Sequence, residues 1–229
     1  MPTDYWKEYW SKEHKTNSPD LQVQVARTRM GKPIDKETWD RTLSYVQELM
    51  EIREGDRILD ACGGNGLFAS RIQELCHQVT VVDVNEELLE NLRKHSPKVI
   101  TVKSDLIRYL QDIDARFEKI LFYAGIQYFT ELEIFKIFVE FKKVLVPGGI
   151  IFIGDVPDIY QRDSFLSSDN RYESYFNNLR DGKETIGTWL TFEWLSELSR
   201  YLGFDSCTLK NQPEFQIYSD FRFDAIVRL

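Results

Sequence analysis

"ILDACGGNGLFA", from Ile58 to Ala69, begins as a strand, collapses into a cluster of glycines and resumes with apolar residues at helical spacing. Glycines at a strand-to-helix turn let backbone approach a ligand without interference from Cβ, and the amides that open the helix are free to bind it. Where such a strand is the first of an alternating series, the crevice above the carboxyl ends of the sheet becomes the expected binding site.

The alternation is there. Strands are expected at 57–61, 78–84, 99–105, 118–124 and 150–156, with helices over 67–76, 85–95, 107–112 and 130–145, the last stopped by Pro147, Gly148 and Gly149. The strands read as continuous apolar runs, which belong to a parallel sheet covered on both faces. Upstream, Trp39, Leu43, Val46, Leu49 and Met50 share a helical face, with Asp35 as N-cap and Gly55 as terminator. Downstream, the alternation breaks into a polar, aromatic stretch over 157–187, followed by a helix over 191–203 and two strands at 205–210 and 221–229. The loop joining those two is too short for a helical crossover, so they pair antiparallel. The expected architecture is a doubly wound, mostly parallel seven-stranded α/β sheet ending in an antiparallel strand pair. Residues 1–35 form an aromatic helical lead-in, 36–229 the domain, and 157–187 an insert beside the site.

Composition narrows the function. The 229 residues are 42% hydrophobic and 29% charged, enough for one core held by burial alone, without an apolar run that would span a membrane. "MPTDYWKEYWSKEHK" carries charges and aromatics where an export signal needs an apolar stretch, so a cytoplasmic protein is expected. Three scattered cysteines without a C-x-x-C pair exclude a disulfide framework and a zinc site, and no metal is expected. A net charge of −8 without a basic stripe argues against nucleic acid as partner. A small-molecule substrate fits better, bound by a monomer or a homodimer.

Gly64, Gly66 and Ala69 match G-x-G-x-x-A, and Asp83 ends the second strand about twenty residues further on, where an acid is expected to take ribose hydroxyls. By itself this pattern is open to a nicotinamide dinucleotide and hence an oxidoreductase. Asp60 stands just before the glycines, where it repels a pyrophosphate and attracts a cationic or zwitterionic ligand. Asp105 in "KSDL" ends the third strand and offers an acceptor to an adenine amino group.

With these residues in view, the sequence resembles the class I S-adenosylmethionine-dependent methyltransferase family. The family's hydrophobic-hydrophobic-acid-x-G-x-G-x-G motif is met by Ile58, Leu59, Asp60, Gly64 and Gly66, with Cys62 in place of the first glycine; "VTVVDV", "KSDL" and "VLVPGGIIFI" are similar to its later motifs. The resemblance implies S-adenosylmethionine as cofactor and S-adenosylhomocysteine as product. Asp60, Cys62, Gly63, Gly64, Gly66, Asp83, Val84, Asp105, Leu106 and Tyr123 would hold the cofactor, with Asp83 taking both ribose hydroxyls, Asp105 and the Leu106 amide reading adenine, and Cys62 bearing on the pocket for the methionine carboxylate. Cys62 is expected to occupy its turn with ordinary dihedrals, as a small packed residue.

Methyl transfer needs positioning and exclusion of water, with a base only where the acceptor must lose a proton. Tyr128, Asp155 and His14 are the candidates near the reacting atoms. Tyr5, Trp10, Arg27, Gln127, Tyr128, Asp158 and Tyr160 are expected on the acceptor side, with "YWKEYW" (5–10) as an aromatic lid. A non-catalytic nucleoside-binding protein of the same fold is the remaining alternative.

Overall fold

The computed structural model describes residues 2–11, 16–29, 31–167, 171–183 and 186–229. The lead-in forms helix α1 (Pro2–Ser11), a single turn α2 (Leu21–Gln24) and a small hairpin, β1 (Thr28–Arg29) with β2 (Lys32–Pro33). Helix α3 (Lys36–Met50) follows, with the Asp35 carboxylate accepting from the Thr38 amide at 2.9 Å. It ends earlier than the sequence indicates. Glu51, in the left-handed region at φ 51°, closes it, and Gly55 lies beyond in the turn leading to the sheet.

The alternating series then runs β3 (Arg57–Ala61), α4 (Ala69–Ile72), β4 (Gln78–Asp83), α5 (Glu86–His95), β5 (Ile100–Lys103), α6 (Leu106–Asp112), β6 (Phe117–Tyr123), α7 (Glu131–Val144) and β7 (Leu145–Pro157). Local chemistry sets most of these boundaries. Asn85 caps α5, whose first turn holds Glu86 and Glu87 and whose last holds Arg93, Lys94 and His95, charges that complement the helix dipole. Thr130 and Glu133 form a reciprocal capping box at the start of α7. Two elements differ from expectation. Helix α4 is only one turn long because the glycine loop extends through Phe68, and β7 starts at Leu145, running through Pro147 to Gly149 rather than after them. Leu145 pairs with Phe117 there, so Pro147 and the two glycines fall in an irregular stretch that ladders less strictly than the residues from Ile150 onward.

Beyond β7 lie short helices α8 (Arg162–Ser167) and α9 (Arg171–Arg180), then α10 (Phe192–Tyr201), β8 (Ser206–Asn211) and β9 (Arg222–Arg228). The main sheet is ordered β5-β4-β3-β6-β7-β9-β8. Every pairing from β5 to β7 is parallel, and β9 runs antiparallel to both β7 and β8.

Side chains alternate across this sheet into two cores. Leu59, Ala61, Ile120, Phe122, Ile151 and Ile153 pack toward α6, α7 and α10. Ile58, Val79, Val81, Leu121, Ile150 and Phe152 pack toward α3, α4 and α5. Two buried faces explain why the strands read as unbroken apolar runs. No helix among the described residues is long and apolar enough to cross a membrane.

Gly66 is part of this packing. It sits at φ 70°, and a Cβ there would lie 2.4 Å from Leu92 Cδ1 on α5. Its role is to let the glycine loop close onto that helix. Gly66→Ala is expected to lower unfolding free energy by about 2 kcal/mol, from left-handed strain plus the displaced leucine; urea denaturation of the two proteins measures it.

Candidate active site

Strands β3, β4 and β6 end on one edge, where strand order reverses between β4 and β6 on either side of β3. A cavity of about 270 Å³ opens there. Asp60, Cys62, Gly63, Gly64, Asp83, Val84, Asp105, Leu106 and Tyr123 line it, as do Trp10, Arg27, Gln127, Tyr128 and Asp155. The sequence places these residues on four strands, on the segments that follow β3, β4, β5 and β6, and on the lead-in, and the fold brings them to one space.

Asp83 organises the turn. Its Oδ2 accepts from the Gly64 amide at 2.9 Å and its Oδ1 from the Asn85 amide at 2.8 Å. Burial raises its pKa against the pull of those amides. Asp60 has neither a hydrogen bond nor an ion pair. Its carboxylate crowds against Gly63, where a Cβ would meet the carboxyl oxygens at 2.6 Å, so only glycine fits that position. Burial, and then the charge of Asp83, push Asp60 up to about 7. Asp105 is more occupied: Oδ1 accepts from the Arg108 amide at 3.1 Å and Oδ2 pairs with Lys7 at 2.7 Å. Burial acts to raise Asp105, but the Lys7 ammonium and the Arg108 and Ile107 amides together outweigh it and hold the carboxyl below its usual range.

The second half of the cavity is built around Arg27. Its Nη2 donates to the Tyr123 hydroxyl at 2.9 Å, its Nη1 lies 3.5 Å from Asp155 Oδ2, and its guanidinium stacks 4.7 Å from the Tyr123 ring. The Tyr123 hydroxyl in turn donates a hydrogen bond to Gln216 Oε1 at 3.1 Å. Asp155, 2% exposed, also accepts from Gln212. Tyr128 packs at a tilt against Trp6 and edge-on against Trp10 of α1, with ring centroids 5.0 and 5.4 Å apart. Burial pushes the Tyr123 and Tyr128 phenols upward, so both stay protonated at neutral pH and act as hydrogen-bonding groups rather than bases.

Backbone strain gathers at this edge. Among the described residues, Ala26, Glu51, Cys62, Ala124 and Asp155 are the non-glycines with positive φ, and all but Glu51 line the cavity. Each left-handed residue costs roughly 1–2 kcal/mol, and such clusters mark functional edges. Cys62, at φ 60°, corrects the expectation of ordinary dihedrals: it lies in the left-handed region that favours glycine.

Several sequence candidates fall elsewhere. Gly66 packs on α5 as described. Tyr5 lies off the cavity against Trp6 and Tyr9. Trp6 and Trp10 are four apart and share the inward face of α1, whereas Tyr5 is five from Trp10 and does not; helical spacing identifies the pair. Asp158 caps a 3-10 turn by accepting from the Tyr160 amide, and Tyr160 is 71% exposed, so both leave the site. His14 lies outside the described residues. The cavity also uses Trp6 and Lys7, inside the "YWKEYW" stretch expected as a lid, and residues the sequence did not single out, among them Phe68, Tyr218 and Arg222. The last two had a signal. A return strand antiparallel to the rest must start at the edge where the others end, which puts the loop before β9 beside the site.

A family model described as a methyltransferase domain matches residues 58–149. The match spans the alternating series from β3 to the start of β7. Solved structures agree with it in fold. Magnesium protoporphyrin IX methyltransferase from Synechocystis PCC 6803, solved with bound SAH, is similar over 100% of this chain and 98% of its own, with 9% identity and a TM-score of 0.63. The N-methyltransferase NodS from Bradyrhizobium japonicum WM9, also in complex with SAH, is similar over 100% and 98%, with 13% identity and a TM-score of 0.64. A SAM-dependent methyltransferase from Archaeoglobus fulgidus covers 86% of this chain and 95% of its own, with 18% identity and a TM-score of 0.59. No curated protein matches the sequence.

Asp60 generates a pH dependence. Its folded pKa lies above its unfolded value, so between about pH 4 and 7 the folded state holds the extra proton and stability falls as pH rises through that window. Above 7 the ligand-free domain carries a buried, unpaired charge. Asp60→Asn is expected to raise the melting temperature by at least about 3 °C at pH 8, and to leave it unchanged near pH 4; calorimetric scans at the two pH values check it.

Proposed function

We propose that this protein transfers a methyl group from S-adenosylmethionine to an oxygen or nitrogen of a small polar metabolite, such as a sugar or a natural-product intermediate. The observation that carries the proposal is the pair of carboxylates at the switch point. Each Asp83 oxygen has one backbone donor and keeps a lone pair, which suits two ribose hydroxyls. Asp60, buried and without a partner, suits the ammonium of a methionine portion. A pyrophosphate in the same place would meet two carboxylates, which disfavours a nicotinamide dinucleotide.

The bound cofactor supplies an electrophilic methyl group on a sulfonium. The chain's own residues bind and orient. Asp105 and the Leu106 amide border the adenine region, with Lys7 fixing the carboxylate of Asp105. Trp6, Trp10 and Tyr128 form an aromatic wall that favours a cation and keeps water out. Helix α1 serves as a lid, tied down by Asn85 Nδ2 donating to the Trp10 carbonyl and by Lys7 on Asp105. With the tyrosines protonated and Asp155 engaged by Arg27 and Gln212, the site favours acceptors that arrive as a nucleophile, such as a neutral amine or a carboxylate. Catalysis here is alignment in a dry cavity.

Calorimetric titration with S-adenosylmethionine, S-adenosylhomocysteine and NAD tests the reading. Micromolar binding of the two sulfur nucleosides without NAD binding is expected, and Asp83→Ala is expected to weaken them by about 30-fold or more, the worth of charge-assisted bonds to two hydroxyls. Binding of NAD alone, or an unchanged Asp83→Ala protein, overturns it. Affinity for S-adenosylhomocysteine is also expected to fall from pH 8 to pH 6, because Asp60 must be ionised to pair with the ammonium.

A further inference from the structure

Two of the three cationic side chains that line the cavity are matched: Lys7 pairs with Asp105 and Arg27 with Asp155. Arg222, at the first position of β9, has no carboxylate partner among the described residues; its Nη1 donates to the Asp155 carbonyl at 2.6 Å. Its Nε is buried without an acceptor. The guanidinium is held in place by that carbonyl and by the rings of Tyr218 and Phe221, whose centroids lie 5.3 and 5.6 Å from its centre. With Nη1 taken, the edge formed by Nε and Nη2 remains, and this edge makes two parallel hydrogen bonds to an oxyanion. Arg222 pairs with Pro157 at the far end of β7, and its strand β9 is four places from the β4 of Asp83 in the sheet order, so it lies on the side away from the ribose carboxylate.

Resting on the methyltransferase reading, we propose that the acceptor carries an oxyanion, a carboxylate or a phosphate, that docks on the Nε/Nη2 edge of Arg222. The buried N–H is the reason. A donor left without an acceptor costs free energy in the ligand-free state and returns it when a matching acceptor enters, which favours an anionic substrate over its neutral analogue. The fixed guanidinium plane adds orientation, turning the rest of the acceptor toward Gln127 and Tyr128.

Tryptophan fluorescence, reporting from Trp6 and Trp10, follows titrations of inorganic phosphate and of benzoate into the wild-type protein, both ligand-free and saturated with S-adenosylhomocysteine. At least one anion is expected to bind, with affinity about tenfold or more weaker in Arg222→Gln and intermediate in Arg222→Lys, which keeps the charge and loses the fork. Preference for phosphate marks a phosphoryl acceptor, and preference for benzoate a carboxylate. S-adenosylhomocysteine affinity is expected to stay within about twofold in both variants, whose melting temperatures confirm folding. Absence of anion binding to wild type, equal binding to Arg222→Gln, or loss of S-adenosylhomocysteine affinity in that variant overturns the proposal, the last by assigning Arg222 to the cofactor's own carboxylate. Failure of S-adenosylhomocysteine to bind the wild type overturns the cofactor reading, while the ligand-free titration still decides the anion site.

Discussion

The carboxylate of Asp83 is the point on which this domain's ligand edge depends. One side chain at the end of β4 holds the amide of Gly64 in the glycine loop and the amide of Asn85 at the start of α5. Two loops from neighbouring β-α units are thereby fixed to each other across the strands. Asn85, positioned by this bond, caps α5 and reaches the backbone of Trp10, so the same anchor extends to α1. Gly63 must be a glycine because Asp60 presses against it, and Gly66 because α5 does. The spacing of small residues in the loop records two different close approaches, to a carboxylate and to a helix.

A second anchor comes from outside the sheet. Arg27, carried by the lead-in just before the β1 and β2 hairpin, is 7% exposed and lies between Tyr123 of β6 and Asp155 of β7. A buried ion pair gains little over apolar packing, but removing one partner leaves a charge stranded at a cost of roughly 3–5 kcal/mol. The pair therefore works as a registration device. It fixes where the lead-in crosses the strand ends, and with it the position of α1 over the cavity.

The sheet was legible because its physics is local. Unbroken apolar runs bounded by Asp35, Asn85 and Thr130 caps define buried strands and amphipathic helices wherever they occur. The carboxylates at strand ends were legible for the same reason, since a strand's last residue reaches the edge by construction. The one-turn α4 was not: "LFASRIQELC" has helical spacing, but the loop must stay irregular through Phe68 to close on α5. Tyr218 and Arg222 escaped because their place depends on a topological fact, the reversed direction of β9, and not on any pattern within the loop. Asp158 and Tyr160 looked like site residues because they follow β7, yet the 3-10 turn they form points Tyr160 into solvent.

Cys62 stands in a loop surrounded by Asp83, Asp105 and Asp60, and burial followed by those charges pushes its thiol well above the ordinary range. Burial raises Cys76 to about 11 and raises Cys207 as well. All three sulfurs therefore remain thiols near neutrality, and a thiol is a poor nucleophile toward alkylating agents and oxidants. All three are partly exposed, so it is protonation and not closure that slows their alkylation. The rate at which a maleimide marks Cys62, which lines the cavity, thus reports how open that cavity is, without any added label.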